Sequence, residues 1–166
     1  AARYGGPVSR WSGQEFDPNE VVIDALFGAG LSREVEGEAA DAIAAVNRSG
    51  AHVFAVDLPS GIQGDSGTVM GTAIRADQTV TFFRRKPGHL LLPGRMHCGR
   101  ITVADIGIPP TVLQTIKPHL SVNDPACWGP SFPVPNAADH KYSRGHAVVL
   151  SGELPGTGAA RLAARA

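Results

Sequence analysis

The sequence predicts an α/β chain built on a parallel sheet. Two short apolar runs, Val21-Val22-Ile23 and Val53-Phe54-Ala55-Val56, each close on an aspartate, Asp24 and Asp57. A stretch of helical period lies between them, and a Gly-containing loop follows each run. Strand, loop, helix, strand, loop is the order of parallel-sheet proteins, in which helices cover the faces of the sheet.

The elements follow in order. Val21-Val22-Ile23 is continuous rather than alternating, which suits a strand buried on both faces. Gly28, Gly30 and the polar Ser32-Arg33-Glu34 make the loop after it. Ala39, Ala40, Ile43, Ala44 and Val46 recur at helical spacing, and Gly50 is placed to end that helix in a left-handed cap. Val53 to Val56 is the second buried strand, followed by a loop holding Pro59, Gly61, Gly64 and Gly67. Thr79 to Phe83, rich in β-branched and aromatic residues, is a third strand, and Ile101 to Val103, alternating, a fourth nearer a sheet edge. The composition changes after Pro109. Residues 118–138 are rich in Pro, Asn and Ser, show no period, and read as a linker. Ala147 to Leu150 reads as a further strand, followed by a Gly-rich turn and a helix start at Gly158.

Composition bounds the functions. Hydrophobic residues make up 43% and charged residues 18%, enough apolar material for a core and too little charge for a disordered chain. The formal net charge is zero, so nothing favours nucleic acid or an anionic membrane. Arg84-Arg85-Lys86 reads as an ordinary solvated turn. Cys98 and Cys127 sit in no paired frame, which points to reduced thiols in a cytoplasmic protein rather than a zinc site or disulfide framework. The six histidines show no metal-binding spacing. No apolar run approaches the roughly 20 residues that span a bilayer.

Right-handed crossovers would bring Asp24 and Asp57 to the carboxyl ends of neighbouring strands, where open α/β sheets bind ligands. A carboxylate there can hold a cation or act as general acid or base; it can equally cap a turn. In Asp57-Leu-Pro-Ser-Gly61, Pro59 fixes a turn, Ser60 offers a hydroxyl and Gly61 permits close backbone approach. It is not a nucleophile elbow, because Leu58 and Ile62 stand where that motif needs glycine. Gly28-Ala-Gly30 is half of a dinucleotide fingerprint, with Arg33 in place of its third glycine, and is weak by itself.

The segments Val22 to Arg33, Val56 to Gly61, Ala76 to Phe82, Lys86-Pro-Gly88, Pro93-Gly94 and Asp105 to Pro109 occur in the order seen in the YjeF N-terminal domain family, the NAD(P)H-hydrate epimerases. The likeness covers roughly residues 20 to 109. His140 to Gly145, Val148 to Leu150, Ser151-Gly152 and Gly158 to Ala164 resemble the opening of the ADP-dependent NAD(P)H-hydrate dehydratases, although Tyr142 stands where that family usually has glycine. The resemblance implies the later part of an epimerase domain over residues 1–117, a linker over 118–138, and the start of a dehydratase domain over 139–166. It implies a Rossmann-like parallel sheet flanked by helices, here incomplete, then the first strand and helix of a ribokinase-like domain.

The implied activity is nicotinamide nucleotide repair. The R and S forms of hydrated NADH and NADPH, NAD(P)HX, would be interconverted, and the fused domain would dehydrate the S form with ADP as co-substrate. The resemblance gives Asp24 and Ser60 to a potassium ion. It gives Gly28, Ala29, Gly30, Leu31, Ser32, Arg33, Glu34 and Asp57 to the substrate, with Asp57 as the proton-transfer residue, and Ala159 to ligand binding in the dehydratase part. It further implies a site incomplete at both ends, hence an inactive isolated chain, and a sheet without its first strands, whose unpaired edge makes that chain poorly stable. Homo-oligomerisation is left open. The competing class is a non-catalytic nucleotide-binding or interaction module on the same fold. A sugar kinase would rest on the ribokinase-like tail alone.

Overall fold

The computed structural model describes residues 7–140, 142–143, 145–153 and 156–165. Four strands, β1 (Val21–Asp24), β2 (His52–Val56), β3 (Gln78–Phe82) and β4 (Arg100–Ala104), form one sheet in the order β1-β2-β3-β4. Every neighbouring pair is parallel, with Asp24 opposite Ala55, Val56 opposite Val80 and Phe82 opposite Ala104. The carboxyl ends of all four strands therefore lie along one edge.

Helix α1 (Gly37–Ser49) joins β1 to β2. Its apolar face follows from spacing: Ile43 and Val46 are buried, and Ala39 and Ala40 pack partly beside them. Glu38 in the first turn and Arg48 in the last complement the helix dipole. Gly50 ends the helix at φ 74°, a left-handed turn that glycine adopts without strain. The helix meets Val53 and Ala55 of β2, together with Val35, Ile74 and Ala76, in the main core. A smaller core of Leu58, Ile62 and Ala73 underpins the loop after β2.

β4 lies at a sheet edge, as its alternation predicts. β1 departs from expectation. Its apolar run suggests burial on both faces, but Val21 and Ile23 are 62% and 69% exposed. β1 forms the other edge of the sheet, and only its Val22 side reaches the core.

The described residues divide into two compact units, one ending at Leu120 and the other starting at Ser121. The first also holds a short helix, α2 (Val112–Ile116). The second contains α3 (Pro125–Trp128), whose first turn is capped by the Asp124 carboxylate accepting from Ala126 N–H at 2.9 Å, and α4 (Gly158–Ala163). The strand expected over Ala147–Leu150 is not formed. No neighbouring strand among the described residues takes its backbone N–H and C=O groups, and Leu150 is exposed. No helix among the described residues is long and apolar enough to cross a membrane.

Candidate functional site

Two loops leave the same edge of the sheet, one after β1 and one after β2, and are tied together by Asp24 and Ser60. Asp24 is the last residue of β1 and is buried; Ser60 is wholly buried. Ser60 N–H donates to Asp24 Oδ2 at 2.7 Å and Ser60 Oγ–H to Oδ1 at 2.5 Å. Ser60 Oγ in turn accepts from Phe27 N–H at 2.9 Å and lies 3.4 Å from the Phe27 carbonyl oxygen. One carboxylate, one hydroxyl and one carbonyl thus sit in a single knot, and every donor atom toward a cation would be a hard oxygen. Among the described residues no group of three His, Cys, Asp or Glu side chains is placed to hold a metal ion.

The sequence has the small residues this junction needs. A Cβ on Gly61, at φ 97°, would fall 1.9 Å from the Thr72 carbonyl oxygen. A Cβ on Gly64 would fall 2.7 Å from the Ala29 carbonyl oxygen, so the Gly28–Glu34 loop lies directly against the second loop. Val35 N–H donates to Met70 C=O at 3.0 Å and fixes the far end of that contact.

Asp57 follows β2 and adopts φ 69°, a left-handed conformation that only Asn, Asp and a few others adopt with any frequency outside glycine. Its N–H donates to Val80 C=O at 2.8 Å, and its own C=O accepts from His89 Nε2 at 2.7 Å. His89 Nδ1 accepts from Lys86 N–H at 2.9 Å, so the ring proton sits on Nε2. Burial holds the His89 imidazole below its ordinary pKa, and the neutral ring serves as a strut.

The Asp57 side chain is about a quarter exposed. Oδ1 accepts from Thr81 Oγ1 at 2.8 Å and from the Lys86 ammonium in a short ion pair. Oδ2 has no hydrogen-bond partner among the described residues and faces Gly28, where a Cβ would lie 3.9 Å from it. Neither oxygen is taken by a backbone N–H. Burial pushes the carboxyl pKa up, but the hydrogen bonds from Lys86 and Thr81 and the Lys86 charge outweigh it and hold the group below its ordinary value.

The structure thus brings together Asp24, Ser60, Asp57 and Gly28 at one edge. Ala29 packs against Gly64, Leu31 packs partly on the main core, and Gly30, Ser32, Arg33 and Glu34 are exposed on the outer part of the loop. Arg33 makes no ion pair among the described residues. Ala159 is exposed in the first turn of α4, within the second unit. Sequence reasoning missed Lys86, Thr81 and His89 as partners of Asp57. The one available signal was the placement of Lys86 just after a strand end, in a run that also suits a plain surface turn. A separate concavity of about 510 Å³, lined by Trp11, Gln14, Glu38 and Arg48 among others, includes none of these residues.

The two carboxylates lie at the carboxyl edge of a parallel α/β sheet, the place where sheets of this class bind small ligands. Residues 1–88 match the family described as YjeF-related protein N-terminus, and the chain belongs to that family. It is 40% identical over 152 residues to a bifunctional NAD(P)H-hydrate repair enzyme Nnr of Thermofilum pendens, covering 92% of this chain and 28% of the relative. It is 39% identical over 150 residues to the like-named protein of Coxiella burnetii, covering 89% of this chain and 30% of that one. An NAD(P)H-hydrate epimerase of Levilactobacillus brevis is 51% identical over 88 residues, 53% of this chain and 41% of the relative. The chain therefore spans well under half the length of each of these relatives.

Proposed function

We propose that this chain is part of an enzyme that interconverts the R and S forms of NAD(P)HX, with Asp57 as its proton-transfer residue. The observation that supports this most is the Asp57 carboxylate itself. One oxygen is anchored by Lys86 and Thr81, and the other is turned towards Gly28 with no partner among the described residues. A residue serving only as a turn cap would spend its oxygens on backbone N–H groups. The similarity to proteins named NAD(P)H-hydrate epimerase supplies the substrate class.

The chemistry suits one carboxyl group. The hydrated nicotinamide carries a hydroxyl on the carbon beside the ring nitrogen. In its minor protonated form, Asp57 gives its proton to that hydroxyl, which leaves as water while the nitrogen lone pair forms an iminium; the anionic form dominates at rest because Lys86 and Thr81 hold the carboxyl low. The Asp57 carboxylate then stabilises the cation, a water molecule adds to the opposite face, and the proton it releases returns to Asp57 through solvent. The carboxyl ends the turnover as it began, and only the configuration has changed. A low-lying pKa favours the anionic form that faces the cation.

Asp24, Ser60 and the Phe27 carbonyl would hold a potassium ion, since all three are hard oxygen donors within one knot. Bound there, the ion would supply positive charge at the loop junction. ADP-dependent dehydration of the S form belongs to the same proposal. It is supported by the bifunctional relatives, whose similarity covers 92% of the chain in one case, and Ala159 would be its ligand contact. The test is to give the full-length protein NADHX enriched in one epimer and follow the approach to equilibrium chromatographically. Acceleration over buffer supports the proposal; a rate equal to buffer with folded protein overturns it.

A further inference from the structure

We propose that Lys86 is the positioning residue of this site: with Thr81 it takes Oδ1 of Asp57, and so fixes Oδ2 as the oxygen that meets the ligand beside Gly28. The inference deepens the epimerase reading and rests on it.

A lysine in a run of three cations is ordinarily a solvated side chain. Its two neighbours behave that way, since Arg84 and Arg85 are exposed. Lys86 does not. Its ammonium meets Asp57 Oδ1, Thr81 Oγ1 at 2.9 Å and the Phe82 carbonyl oxygen at 3.4 Å. An ammonium has three donors, and here each has an acceptor. The side chain is 27% exposed, so these contacts are only partly open to competing water.

The backbone of Lys86 serves the same aspartate. Its N–H holds His89 Nδ1, and His89 Nε2 holds the Asp57 carbonyl, which keeps the residue in its left-handed conformation. Asp57 is therefore gripped by Lys86 at the side chain directly and at the main chain through His89. Lys86 and His89 are the titratable groups that act on the Asp57 carboxyl. Of the two, only Lys86 touches a side-chain oxygen, and a fixed ammonium on Oδ1 discriminates two otherwise equivalent oxygens.

The experiment compares wild type with Lys86→Met, Lys86→Arg and Thr81→Val in the full-length protein. Two readouts are used: epimerisation kinetics over pH, and the titration of the Asp57 carboxyl by carbon-13 NMR, which requires no activity. In Lys86→Met, kcat should fall about 10–100-fold with KM little changed, the cost expected when a reacting group loses its aim. The Asp57 inflection should move upward in both readouts, because burial then acts without the ammonium to oppose it. Lys86→Arg should leave the inflection near wild type, and Thr81→Val should raise it less than Lys86→Met. An unchanged kcat and inflection in folded Lys86→Met overturns the proposal. Should that variant not fold, Thr81→Val and Lys86→Arg decide, and an unmoved inflection in Thr81→Val overturns it. A wild type that shows no epimerisation sinks the epimerase reading instead, while the carboxyl titration still decides whether Lys86 governs Asp57.

Discussion

Replacing Asp24 separates its structural work from its charge. Asp24→Ala removes the acceptors of two hydrogen bonds from Ser60, at 2.7 and 2.5 Å, and Ser60 is wholly buried, so water does not replace them. Hydrogen bonds to a charged partner contribute about 1.5–3 kcal/mol each, so the loss of two should be about 3–6 kcal/mol. That is a large share of a stability of about 5–15 kcal/mol. Asp24→Asn keeps the geometry. Turned with its oxygen to Ser60 N–H and its amide to Ser60 Oγ, it retains both bonds, and the Ser60 proton turns to Phe27 C=O. Its cost should be about 2 kcal/mol, the charged-to-neutral difference of about 1 kcal/mol at each of the two bonds. Urea denaturation followed by circular dichroism measures both. An amide variant as unstable as the alanine variant, or both variants matching wild type, would contradict these roles for Asp24. On the potassium role proposed for Asp24, potassium chloride should raise the wild-type midpoint above that in choline chloride at equal ionic strength, and should not do so in Asp24→Asn.

Other outcomes follow from single contacts. Gly61→Ala places a Cβ 1.9 Å from the Thr72 carbonyl oxygen at φ 97°, so overpacking and left-handed strain together should cost roughly 3 kcal/mol or more, read from the thermal midpoint. Iodoacetamide should label exposed Cys127 in the folded chain and spare Cys98, which is fully buried and whose thiol is pushed up to about 11 by burial; mass spectrometry of labelled peptides checks this. Because the folded Asp57 carboxyl lies below its ordinary value, its pairing with Lys86 stabilises the fold above the unfolded carboxyl pKa of about 4. That contribution is lost as pH falls through the folded pKa. Asp57→Asn should therefore be about 1 kcal/mol less stable than wild type at pH 7, the pair being partly exposed, and equal to it at the lowest pH where both stay folded.

The sheet was legible because its strands are short apolar runs punctuated by Asp and Gly, and α1 because Ile43 and Val46 recur on one face up to Gly50. These are local patterns. The exposure of β1 was not legible, since Val21-Val22-Ile23 reads the same whether or not another element covers it. Ala147–Leu150 has the composition of a strand, but a strand needs a neighbour, and composition does not supply one. Asp24 and Ser60 could be placed at one edge from topology and the family resemblance. Lys86 and His89 could not, because their roles depend on a turn that carries them back to Asp57, 29 and 32 residues away in sequence. The RRK run looked like a solvated turn, and two of its three residues are exposed.

The proton-transfer role proposed for Asp57 is put to the test by Asp57→Asn in the full-length protein. Asparagine is nearly isosteric and tolerates the left-handed conformation at φ 69°, so the backbone grip of Val80 and His89 should survive. Circular dichroism and the urea midpoint establish that the variant is folded. Interconversion of R- and S-NADHX should then slow about 10²–10⁴-fold, the range for loss of a general acid and base. A folded variant that interconverts the epimers at the wild-type rate would contradict the account.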